Sequence, residues 1–152
     1  MNLSLDFKEN LHRYCVSLVQ DKLNVLKQQI AARKHDLESA SKSSAGDKHE
    51  TSRAMIHLEQ EKLGLQFIEV KKQNNLLAQI TLKQHSTFKS GSLIHTPKAL
   101  FYIAVGLGKI TFQNKDVYVI SPISSLAQAF LNSKSLDSVS FQTSNYSILS
   151  LV

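Results

Sequence analysis

The chain has 152 residues, 42% of them hydrophobic and 20% charged, a balance that fits one globular domain or two small ones. Its single cysteine excludes an internal disulfide and a cysteine-based zinc site. The formal net charge of +6 favours acidic partners, but Lys and Arg are mixed with acids and form no long basic run, which argues against a dedicated nucleic-acid tract.

From residue 5 to about 85 there is no proline, and the only glycines are Gly46 and Gly64. Leu, Lys, Gln, Glu and Ala dominate, all good helix formers. Val16, Val19, Leu23, Leu26, Ile30, Leu37 and Ala40 recur in alternating steps of three and four, with Arg33 in the one slot left polar. That is the seam of a helix lying along another helix. Cys15 stands in the same amphipathic pattern and reads as a small buried hydrophobe. A second helical stretch starts near Asp47 and carries two adjacent stripes. One is Met55, Leu58, Leu65 and Ile68; the other is Ile56, Leu63, Phe67, Val70 and Leu77. Together they make a broad apolar face. The segment Ser39 to Gly46 between the stretches is small and polar, as a chain reversal requires. The expected structure is an antiparallel αα-hairpin over residues 1–85 with its tip near 41–50. Arms of about 35 residues would be on the order of 50 Å long.

After the linker Gln84 to Gly91 the period changes. Ser92–Thr96 and Ala99–Val105 read as strands flanking Pro97, and Gly106-Leu107-Gly108 as a turn. Lys109–Gln113 and Asp116–Ile120 read as a hairpin across Asn114-Lys115. Ile123–Asn132 reads as a short helix after the Ser121-Pro122 break. Ser138–Thr143 and Tyr146–Val152 read as a last hairpin around Ser144-Asn145. About six strands and one helix make residues 86–152 a small β-rich domain, so the chain as a whole is α+β.

The expected tip holds the residues with most chemical potential. Asp47 and Glu50 are three apart, on nearly one helix face. Two such carboxylates can offer oxygen ligands to Mg²⁺, which usually takes one or two and keeps water or phosphate for the rest. The same spacing is a helix N-terminus signature, with Asp47 capping and Glu50 reaching back. The two roles are compatible. His49 lies between the acids, and Lys42, Lys48 and Arg53 lie close by in sequence. No His-x-x-x-His pair, Gly-x-Ser-x-Gly elbow or phosphate loop is present, so a free-standing enzyme is not expected.

The run Gly46-Asp47-Lys48-His49-Glu50, then Ile120-Ser121-Pro122-Ile123, then Phe130-Leu131, Lys134 and Asp137-Ser138-Val139, resembles the Gre family of bacterial transcription elongation factors, and within it a short Bacteroidetes-type group. The resemblance covers nearly the whole chain. It implies an FKBP-like fold for the β-rich domain and a hairpin that enters the secondary channel of bacterial RNA polymerase. By motif match Asp47 and Glu50 fall on the acids that coordinate an Mg²⁺ shared with the polymerase and promote cleavage of backtracked RNA. Ser121, Pro122 and Ile123 fall on the turn that contacts the polymerase. The implied protein is an accessory factor, monomeric, cytoplasmic, binding no cofactor alone and touching RNA and DNA only through the elongation complex. One departure matters. Thr51-Ser52-Arg53-Ala54 stands where the family has an Asn, an acid and a Tyr. Two alternatives therefore remain open: a channel regulator without cleavage, and a coiled-coil interaction module unrelated to polymerase. Neither a membrane span nor a signal peptide is expected, since no stretch reaches roughly 18 apolar residues and the first ten lack an apolar core.

Overall fold

The computed structural model describes residues 3–152 apart from 42–45, and side chains apart from those of 41–49. Two long helices, α1 (Leu5–Ser41) and α2 (Gly46–Gln79), pack together and are followed by seven short strands and one short helix. The class is α+β. The chain forms two compact units, Ser17–Asn74 and the combination of Met1–Val16 with Asn75–Val152.

The helical unit is built on the heptad seam. Val19, Leu23 and Leu26 are buried on α1, while Ile30, Leu37 and Ala40 are half-buried. On α2 Leu63 is buried, and Ile56, Phe67 and Val70 are half-buried. Arg33 explains its polar slot. Its guanidinium reaches Asp36 at 2.8 Å and, across the helices, Glu59 at 3.3 Å. Pairs this exposed contribute little energy, so the contact mainly marks the antiparallel register. The broad apolar face expected on α2 is only half covered. Met55, Leu58, Leu65 and Ile68 remain exposed, because one neighbouring helix can shield only one stripe. The expected chain reversal falls largely on residues 42–45, outside the described residues.

In the other unit, five strands form one sheet in the order β3-β4-β2-β1-β7. These are β1 (Leu93–His95), β2 (Leu100–Ile103), β3 (Gly108–Phe112), β4 (Lys115–Ile120) and β7 (Ser150–Leu151). β2 and β4 are parallel, and the other neighbours are antiparallel. β5 (Ser138–Phe141) and β6 (Ser144–Ser147) pair separately. All four residues of β2 are buried, so both faces of the sheet are covered. On one face Phe101, Ile103 and Ile94 pack with Phe88, with Ala127 and Phe130 of α3 (Ser125–Leu131), and with Val139 of β5. The other face carries Tyr102, Leu93, Leu100, Val117 and Val119. There the first turns of α1 meet the sheet: His12 bonds Tyr102, and Phe7 and Tyr14 pack on Phe112 of β3.

Three expected boundaries move, each for a local reason. The β3–β4 turn is Gln113-Asn114 rather than Asn114-Lys115. Both residues have positive φ, 50° and 61°, as a two-residue hairpin matched to strand twist demands. The last hairpin turns at Gln142-Thr143 rather than Ser144-Asn145. The expected final strand splits, so that Ser150–Leu151 leaves β5 and β6 and pairs with β1. The short helix begins at Ser125, not Ile123, because the Ser124 hydroxyl accepts from Ala127 N–H at 3.2 Å and caps it. The linker 84–91 is anchored to the β unit at three of its residues, the others being exposed. His85 and Phe88 are buried, and Gly91 takes φ +92 where a Cβ would come within 2.9 Å of Ile80.

Candidate functional site

Glu50 lies in the first turns of α2 and is exposed. Asp47 is in the same turn, since α2 begins at Gly46, but its side chain and those of Lys42, Lys48 and His49 lie outside the described residues. The backbone places the two acids three apart on continuous helix, so both fall on one face. Among the described residues no group of three His, Cys, Asp or Glu side chains gathers as a metal site. Two carboxylates alone do not fill a coordination sphere of Mg²⁺.

The turn between β4 and α3 is the second place the motifs single out. Its backbone is held from several directions. The Ser121 carbonyl accepts from Ser124 N–H at 3.0 Å and from the Ser124 hydroxyl at 2.7 Å. Gln128 Nε2 donates to the Pro122 carbonyl at 2.6 Å, and Ile123 N–H donates to Ser121 Oγ at 3.3 Å. Ser121 and Pro122 are half-buried, whereas Ile123 is 88% exposed. A bulky apolar side chain is thus presented to solvent on a fixed turn, with little entropy left to lose on contact.

A buried polar network in the β unit has no counterpart in the sequence reading. Lys8 is fully buried, and its Nζ donates to the main-chain oxygens of Lys83 at 2.7 Å and Val152 at 2.9 Å. Burial lowers its pKa to about 8. His12 Nδ1 and the Tyr102 hydroxyl are 2.7 Å apart. Burial holds that imidazole below its usual range, the Leu77 backbone partly offsets this, and Lys8 adds to it. His85 Nδ1 lies 2.8 Å from Ser92 Oγ, and its pKa is lowered to about 4, first by burial and then by Lys8, Lys89 and Lys83. Cys15 is buried, as its pattern implied, and its thiol is pushed up to about 12. The arrangement offers no nucleophile–base pair. A buried ammonium on two main-chain oxygens and imidazoles kept neutral secure the start of α1 against the sheet. The available signal was the stripe Lys8, Leu11, His12, Cys15, whose helical spacing is plain only once the polar members are taken as interior.

Among the described residues, no helix is long and apolar enough to cross a membrane. No family model, curated protein or solved structure matches the chain.

Proposed function

We propose that this chain is an accessory factor of bacterial RNA polymerase, whose helical hairpin enters the secondary channel and whose Asp47 and Glu50 promote cleavage of backtracked RNA. The observation that carries the reading is the acid pair in the first turn of α2, at the end of two long paired helices. The ordered motifs of the β unit add to it. The FKBP-like character of that unit belongs to the same proposal.

Two carboxylates three apart suit an ion shared with a partner's acids better than one held alone. Glu50 is exposed and has oxygens to offer, so the residues fit that role. When bound, a shared Mg²⁺ would supply Lewis-acid activation of water for phosphodiester hydrolysis. Asp47 and Glu50 would orient that water and help hold the ion. Ile123 would insert into an apolar contact on the polymerase, with Ser121 and Pro122 fixing its direction.

Co-sedimentation with the cognate core polymerase tests the docking half. Wild type is expected to bind, and Ile123→Asp to bind at least about tenfold more weakly, because a charge would enter an apolar contact. Absence of wild-type binding would remove the reading. Thr51-Ser52-Arg53-Ala54 favours a second version, in which the chain occupies the channel and alters transcription without shortening RNA.

A further inference from the structure

A cleft of about 340 Å³ opens beside the end of α2, with Leu76, Ile80, Ala104 and Pro122 as its apolar wall. That is near the small end of ligand pockets, roughly 300–1,000 Å³. All of its walls belong to one compact unit. Lys83 and Lys89 stand at it, both exposed, and neither forms an ion pair among the described residues. No carboxylate lines it, whereas three other surface clefts carry Glu61, Glu59 and Asp116. We propose that this cleft binds a small phosphomonoester, with the phosphate on Lys83, Lys89 and His85 and the organic part against the apolar wall.

Charge selects the ligand class. Two unpaired ammoniums are best matched by one dianion. A phosphomonoester carries about −1.5 to −2 at pH 7. A carboxylate, or a phosphodiester of a nucleic-acid backbone, carries a single charge. Lysines serve phosphate as point charges and do not need the planar fit of an arginine pair. One feature opposes an anion: α2 ends at Gln79, beside the cleft, with free carbonyls. They amount to roughly half a negative charge and fade within one turn, against the full charges of both lysines.

His85 adds an uncharged donor. It lines the cleft, is 5% exposed, and its Nδ1 lies 2.8 Å from Ser92 Oγ. That oxygen already accepts from Lys89 N–H at 2.9 Å. Its own proton goes to Nδ1 rather than to the more distant Thr87 carbonyl at 3.4 Å. Burial and the neighbouring lysines keep the ring neutral, so Nε2 carries the imidazole proton. Nε2 has no partner among the described residues. The turn bearing Lys89 and Ser90 is held in place, since Gly91 N–H donates to the Ile103 carbonyl at 2.6 Å. Little ordering is left to be lost on binding.

This inference does not rest on the polymerase reading, and each can fail while the other stands. Amide NMR shifts of the full ¹⁵N-labelled chain, at low salt and about pH 7.5, test it with phenyl phosphate, inorganic phosphate and methyl phenyl phosphate. The last is the diester with the same ring and less charge. Phenyl phosphate is expected to shift the amides of residues 83–90 and Ala104, with a Kd of about 1 mM or tighter for so few heavy atoms. Inorganic phosphate and the diester should each bind about tenfold more weakly, the one lacking apolar contact and the other a charge. Lys83→Gln/Lys89→Gln should weaken phenyl phosphate by about tenfold or more, with the fold kept because both side chains are exposed. Lys27→Gln/Lys34→Gln, the same charge change on exposed lysines of the helical unit, should stay within about twofold. No shift at about 20 mM phenyl phosphate overturns the proposal. So does equal binding by wild type and the cleft variant, or equal weakening by the two double variants. Equal affinity for the diester overturns it in favour of a nucleic-acid backbone. Equal affinity for inorganic phosphate overturns it as an adventitious ion only.

Discussion

Lys8 gives the β unit a stability that should rise with pH where most proteins are flat. Its pKa falls from 10.5 to about 8 because the ammonium is buried. At about 1.4 kcal/mol per tenfold change in proton affinity, that difference is on the order of 3 kcal/mol. Between the two values the unfolded chain holds a proton that the folded chain has lost, so stability rises with pH. Cys15 opposes this. Its thiol is raised from 9.0 to about 12 by burial, so above 9.0 the unfolded thiol ionises first and stability falls. Tyr102 is raised as well and acts in the same direction above 10. From about pH 7 to about pH 9, Lys8 adds about 1.4 kcal/mol and Cys15 removes about 0.4, a net gain of about 1 kcal/mol. Urea unfolding followed by tyrosine emission reads this unit alone, because Tyr14, Tyr102, Tyr118 and Tyr146 all lie in it. Lys8→Met should abolish the rise and leave the small fall due to Cys15. A wild-type profile that is flat or falling, with the same slope in Lys8→Met, would refute the reasoning.

Three further outcomes follow from the same geometry. His85 is lowered from 6.5 to about 4, so the stability it permits is complete above 6.5 and lost as pH falls toward 4. Its ring lines an open cleft beside Lys83 and Lys89, so after solvent screening the loss by about pH 4.5 is on the order of 1–2 kcal/mol, measured by the same unfolding assay, and Lys83→Gln/Lys89→Gln should reduce it. Leu63→Ala should cost about 2–4 kcal/mol, read from helical circular dichroism in urea, whereas Leu58→Ala should stay within about 0.5 kcal/mol in a dilute sample. Gly64→Ala should stabilise α2 by about 0.5–1 kcal/mol in that assay, because a Cβ there meets nothing within 4 Å.

The helices were legible because their apolar residues repeat at one period over many turns. Even Arg33 kept its place in the seam, and Glu59 then accounted for it. Which stripe of α2 would be covered was not legible, since both have helical spacing and only the partner's position separates them. Strand positions were legible from the change of period around Pro97 and Gly106. Turn positions were displaced because Gln113 and Gln142 adopt positive φ without a glycine or a turn-forming dipeptide to announce it. The packing of α1 onto the sheet was concealed by Lys8 and His12, polar residues at interior positions. Of the motif residues, Ile123 is placed on a fixed and exposed turn. Asp47 and Glu50 are placed on one turn of helix, an arrangement their spacing alone implied.

The central claim is that Asp47 and Glu50 promote RNA cleavage by a partner polymerase. A backtracked elongation complex of the cognate polymerase, with end-labelled RNA and Mg²⁺, tests it directly. The wild-type chain should shorten the RNA, and Asp47→Ala/Glu50→Ala should bind equally well but lower the cleavage rate by about a hundredfold or more, as expected when ligands to a reacting metal are removed. Equal shortening by both proteins, or none by a wild type shown to be bound, would contradict it.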